Sequence, residues 1–189
     1  MILLLALAGG LPVGMASSRW RGLPYQTPEL RLVWLVFLAF LPQFVVLYLP
    51  NFQGGPNDSL SAACLIVSML AFLGFAWLNR VVPGMSFLLL GLILNLAVIT
   101  LNNGFMPISP HTASELISKQ AFQDFQAGDR FGTKDILLLS ESTRFEWLAD
   151  RFLPPSWFPY RFAFSLGDVF IALGAFVILA WPGLSIKKE

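Results

Sequence analysis

The stretch Gly84–Leu101, GMSFLLLGLILNLAVITL, has no charged residue, and its single amide side chain is Asn95. A helix rises about 1.5 Å per residue, and a hydrocarbon core needs about 20 mostly apolar residues, with a range of about 17–25. Gly84–Leu101 reaches that range. Four other stretches approach it: Met1–Ala16, Leu30–Leu49, Leu60–Leu78 and Leu166–Trp181. The first four interiors are free of charge, and the last carries Asp168 near its start. Of the 189 residues, 56% are hydrophobic and 12% charged, whereas a soluble domain runs near about 25% charged. A chain of this size could not hide so much apolar surface from water. The pattern predicts an all-α membrane protein, a five-helix transmembrane bundle.

The composition also excludes chemistry. A net charge of +1 offers no basic face for nucleic acid. A single cysteine, Cys64, rules out an internal disulfide and a cysteine-cluster metal site. A single histidine, His111, leaves no histidine-rich metal site. No phosphate-cradling glycine loop or serine-nucleophile elbow is present, and the sequence implies no cofactor and no bound metal.

Orientation follows from the short loops. Arg19, Arg21 and Arg31 flank the first of them, and Arg80 lies in a second on the same side. Lys187 and Lys188 follow the last span, again on that side, while Pro50–Ser59 faces the other way without Lys or Arg. The positive-inside rule then places the N-terminus outside and the C-terminus in the cytoplasm of a multi-pass cell-membrane protein. Met1–Ala16 lacks the positive n-region of a signal peptide and carries its arginines behind it, which favours a retained helix. The resulting units are 1–101 (helices one to four), 102–165 (an extracytoplasmic loop subdomain) and 166–189 (helix five and tail).

The outer segment is too apolar and aromatic for disorder. Thr112 with Glu115 makes a capping-box pattern, which predicts an amphipathic helix running toward Gly128. Thr143 with Glu146 predicts a second, over Phe145–Phe152, stopped by Pro154. Ile136–Leu139 reads as a strand or buried turn. The expectation is a helical extracytoplasmic cap that packs on the spans or meets lipid. For helix contacts, Gly10 with Gly14 forms a small-xxx-small pair, and Ala63, Cys64, Ala71 and Gly74 suggest another packing face.

Ionisable groups at membrane depth are costly, so Asp168 is the leading candidate for function. Asn95 and Asn102 lie seven apart, on one helix face, and can form a polar stripe toward Asp168. Asn103, Ser165 and Gln43 sit at similar depth. The functional reading is a polar pocket on the outer face that binds membrane lipid, a lipoprotein or another membrane subunit. The plainer alternative is interhelical hydrogen bonding, with Asp168 favouring the helix dipole from the first turn. A transporter is disfavoured because helices one to four are uncharged and no repeat relates the halves.

Two resemblances add to this. Pro42-Gln43, Asn103-Gly104-Phe105-Met106-Pro107 and Ser165-Leu166-Gly167-Asp168, with Leu30-Arg31-Leu32 before them, are similar to a family of bacterial membrane proteins catalogued as domain of unknown function 5317. That resemblance implies a small polytopic membrane protein without assigned biochemistry. The second covers only the C-terminal part. Phe164-Ser165-Leu166-Gly167-Asp168 resembles the motif that opens the last span of signal peptidase II, with Ser165 in place of an asparagine. It implies an intramembrane aspartyl peptidase acting on lipoproteins, with Asp168 as one catalytic carboxylate. Such chemistry needs two carboxylates sharing a proton. The family's Gly-Asn-x-x-Asp-Arg motif is replaced here by Asn102 and Asn103, so either Asp150 supplies the second carboxylate from the cap, or the chain is a non-catalytic relative, or the likeness is convergent.

Overall fold

A computed structural model describes residues 1–48 and 58–181. The chain is mostly helical. Five apolar helices dominate: α1 (Ile2–Trp20), α2 (Trp34–Tyr48), α3 (Asp58–Leu78), α4 (Met85–Leu101) and, after the outer segment, α7 (Leu166–Ala180). Of these, α1 and α3 are long and apolar enough to cross a membrane by length and composition. The other three are apolar but shorter. Residues 49–57 of the loop without Lys or Arg, and the tail lysines Lys187 and Lys188, lie outside the described residues.

Neighbour relations run α1–α7–α4–α3–α2. Glycine makes two of these seams close. Gly10 and Gly14 of α1 are buried against α7, where an added Cβ at Gly10 would come 2.9 Å from the Phe176 carbonyl. The small-xxx-small pair therefore marks a real contact. Across the α4–α7 seam, Gly84 and Gly91 oppose Gly174 and Gly167, antiparallel, and each pair repeats at seven residues. Gly84 also has φ +93°, a left-handed conformation open to glycine without strain. The packing face of α3 is Ser61, Ala62, Leu65, Ser68 and Met69. Ala63 and Gly74 are exposed instead, so the proposed Ala63–Gly74 face points away from the bundle.

Two asparagines fasten loop backbone to helix ends. Asn79, at the end of α3, accepts from Arg31 N at 2.7 Å and donates to Arg31 O at 3.0 Å. Asn102, just past α4, accepts from Arg144 N and donates to Arg144 O, both at 2.9 Å. Each amide satisfies an N–H and a C=O together, which leaves no orphaned group at a buried crossing.

The segment 102–165 departs from a purely helical cap. It holds a three-stranded sheet, order β1-β3-β2, from β1 (Met106–Ile108), β2 (Arg130–Phe131) and β3 (Asp135–Leu137). β1 pairs parallel to β3, and β2 antiparallel. The first expected helix is two short ones, α5 (Pro110–Ser114) and α6 (Lys119–Phe122). Ser109 caps α5, accepting from Thr112 N at 3.1 Å, and Pro110 follows it at the first helical position. Thr112 is thus inside that helix and cannot cap it. The second expected helix shrinks to a single 3-10 turn, Glu146–Leu148. Thr143 spends its hydroxyl on Leu139 O, and Phe145 has φ +53°, which breaks the helix at its first residue.

This unit packs on the helices. Met106 and Leu148 belong to the same buried core as Leu92, Val98 and Ile178, and Phe105 and Ile136 pack on Ala62 and Leu65 of α3. Arg130 fixes the sheet to the start of α3, with Nη1 2.9 Å from Asp58 Oδ1 and the guanidinium 3.8 Å over the Phe105 ring.

Candidate functional site

The fifth apolar helix begins with a capping box. Asp168 N donates to Ser165 Oγ at 3.0 Å, and Ser165 N donates to Asp168 Oδ2 at 3.3 Å. Asn95 of α4 closes the arrangement across the seam. Its Nδ2 donates to Asp168 Oδ1 at 2.8 Å, and its Oδ1 accepts from Ser165 Oγ at 2.9 Å. Gly167 permits this: a Cβ there would lie 2.6 Å from Asn95 Cγ. So Asn95, Ser165 and Asp168 come together, as the spacing suggests. Asn102 does not join them, because its amide is occupied by Arg144. Asn103 is exposed in a left-handed turn. Gln43 is half-buried in α2, which packs on α3 and not on α7.

Two ionisable residues that the sequence displays only as loop charges prove central. Lys134 and Asp135 open β3, and the sheet brings them to Asp150, whose backbone pairs with Ile108 at the end of β1. Lys134 Nζ stands 2.5 Å from Asp150 Oδ2 and 3.3 Å from Asp135 Oδ1. The Asp150 contact has hydrogen-bond geometry, whereas the Asp135 contact is an ion pair only. Asp150 is 1% exposed, and its Oδ1 has no partner. Lys134 keeps 41% of its side chain accessible.

The charges are out of balance, with one lysine among Asp135, Asp150 and the nearby Asp168. Burial opposes the charge on Lys134, but the three carboxylates outweigh it and hold the ammonium pKa well above its ordinary value. Burial pushes Asp135 up to about 7 against the pull of Lys134. Burial also raises Asp150, with Lys134 again opposing and Asp168 adding to the rise. A carboxyl raised in the folded state binds more protons than in the unfolded chain. Its contribution to stability is full below about pH 4 and is lost as pH climbs toward 7. We therefore expect Asp135→Asn to flatten the decline in apparent melting temperature between pH 5 and pH 8, with the variant more stable than the parent at pH 8. An unchanged slope would remove Asp135 as its source.

Beside Asp150 lies a cavity of about 190 Å³, bounded by the β1–α5 turn and the 140–151 segment. Among the described residues no cluster of His, Cys, Asp and Glu has the arrangement to hold a metal ion. Lys134 already fills the centre of the aspartates. What the arrangement offers is hydrogen-bond acceptance and a buried, exchangeable proton.

No curated protein and no solved structure matches the chain. The likeness to signal peptidase II thus gains nothing from comparison. A family model does match, over residues 27–180, which takes in α2–α7, the sheet and every residue of the polar cluster. On that match, the chain belongs to the family of unknown function DUF5317.

Proposed function

We propose that this chain is a five-helix membrane protein, N-terminus outside and C-terminus cytoplasmic, whose outer cap forms a binding site for a ligand or a membrane partner. The helix order supports the embedding. The antiparallel and parallel seams bring the ends of α1, α3 and α7 and the start of α2 to the side opposite the cap. Trp20, Trp34, Trp77 and Trp181 all stand there, each more than half exposed. Arg19, Arg21, Arg31 and Arg80 gather at the same end. Aromatic side chains at an interface and arginines on the cytoplasmic side are the expected marks of an inner membrane surface. α4 and α7, at 17 and 15 residues, span only about 26 and 23 Å. On this reading the apolar base of the cap completes their passage through the outer leaflet.

One observation carries the binding role. Asp150 belongs to the buried ionic cluster and also lines the cavity. A buried carboxylate is expensive, and a cluster of perturbed carboxyls beside a cavity is a mark of function more often than of stability. Native mass spectrometry of the protein extracted in mild detergent tests this. The parent should carry a bound small molecule or subunit that Asp150→Asn, still folded, releases. A parent that carries nothing under any extraction condition would count against the role.

An aspartyl peptidase acting on lipoproteins is the second reading, and one feature favours it: the charges of Asp150 and Asp168 act on each other. Against it, Asp150 is bonded to Lys134, and Asp168 to Asn95 and Ser165. Neither carboxylate has the other as its hydrogen-bond partner. A lipidated prolipoprotein should remain uncut by the purified protein. Cleavage by the parent but not by Asp168→Asn would reverse the ranking.

A further inference from the structure

Arg151 and Glu146 give the cavity opposite charges, and the two do not pair with each other. His111 and Arg151 stand on it, and among the described residues neither side chain has a hydrogen bond or an ion pair. Glu146 also lines it, with Oε1 accepting from Ser140 Oγ at 3.0 Å and no cation within ion-pair reach. Asp150 closes the buried side, its Oδ2 on Lys134 and its Oδ1 unpartnered. Ile108 and Leu138 supply apolar wall. Charges of opposite sign held apart across one small space can engage the two ends of a single ligand. The volume of about 190 Å³ limits the occupant, since a cavity of about 150 Å³ already admits benzene.

We propose that this cavity binds a small zwitterion, with its anionic group against Arg151 and His111 and its ammonium toward Glu146. The inference rests on the binding role proposed above and names the ligand's chemistry. An N–H-bearing ammonium fits better than a quaternary one, because it can donate a charge-assisted hydrogen bond to the Glu146 carboxylate. Arginine presents a fork to a phosphate or carboxylate. Two sources share this chemistry: the phosphoethanolamine headgroup of a lipid and a free amino acid.

The test uses the full-length protein in detergent and in nanodiscs. Thermal shift and calorimetric titration are run with phosphoethanolamine, phosphocholine and glycine. The same melts are repeated in nanodiscs of phosphatidylethanolamine and of phosphatidylcholine. Phosphoethanolamine should bind saturably and at least tenfold more tightly than phosphocholine. Arg151→Gln and Glu146→Gln should each weaken it tenfold or more. Both positions are exposed, so both variants should fold, and circular dichroism confirms that they do. Protection by phosphatidylethanolamine nanodiscs without a response to glycine assigns the lipid source, and the converse assigns the free amino acid. If none of the three soluble probes binds and the two lipids protect equally, the inference is overturned. Binding that survives both substitutions overturns it as well. A bound molecule released by Asp150→Asn, with no response to any zwitterion, would end this inference and leave the binding role standing.

Discussion

Lys134→Met should unfold readily at pH 8 and behave nearly like the parent at pH 5. The substitution keeps the length of the stem and removes the one cation among Asp135, Asp150 and Asp168. Breaking a buried pair typically costs about 3–5 kcal/mol, because the stranded charge cannot return to water. Lys134 is 41% accessible while Asp150 is 1%, so solvent screening brings the expected loss nearer about 2–3 kcal/mol. For a chain of this size that corresponds to roughly 4–12 °C in apparent melting temperature. The pH dependence identifies the cause. Asp135 and Asp150 already sit high in the carboxyl range. Without the lysine both rise further, and at pH 5 Asp135 is protonated and needs no counter-ion. A loss of equal size at both pH values would mean that the stem of Lys134 matters and its charge does not. Melting curves in detergent at the two pH values decide between them.

Gly167→Ala should be strongly damaging for a single added methyl. Its Cβ would fall on the Asn95 side chain and lie 2.9 Å from Gly91 O, on a face where Gly91 was the room-making residue. Neither backbone can yield without parting α4 from α7. Overpacking costs about 1–3 kcal/mol. Displacing Asn95 also breaks its bonds to Asp168 and Ser165, worth about 1 kcal/mol each. The sum is about 3–5 kcal/mol, enough to deplete folded protein. Gly74→Ala is the control. Nothing lies within 4 Å of its added Cβ, so relief of glycine's helix penalty should stabilise by about 0.5–1 kcal/mol. Recovery of monodisperse protein after extraction separates the two. Equal yields would show that the seam has slack.

Both expectations bear on how far the sequence could be read. The apolar stretches are legible because a long helix needs one uninterrupted local signal. The glycines of α1 are legible for the same reason, since Gly10 and Gly14 meet their partner at helical spacing. Ser165 and Asp168 carry a capping box in four consecutive residues, and Asn95 could be placed on the facing side by periodicity alone. The outer segment is different. Its two capping-box patterns are present in letters, but Ser109-Pro110 outcompetes Thr112, and Thr143 turns back to Leu139. The sheet depends on pairings between residues about 30 apart, such as Pro107 with Ile136, and three-residue strands leave no alternation to detect. The only sign of the ionic cluster is the pair Lys134-Asp135 set against the apolar run that follows. Nothing in the spacing says that Asp150 returns to it.

The row α1–α7–α4–α3–α2 also has a temporal side. Ribosomes deliver α2, α3 and α4 as successive neighbours, and each can dock on the one before it. The first helix has no such companion. Its glycine face fits α7, which is made after all the others and sits between α1 and α4. During synthesis, then, α1 has no partner helix until residues 166–180 are made, and α7 closes its seams with α1 and α4 after the other helices exist.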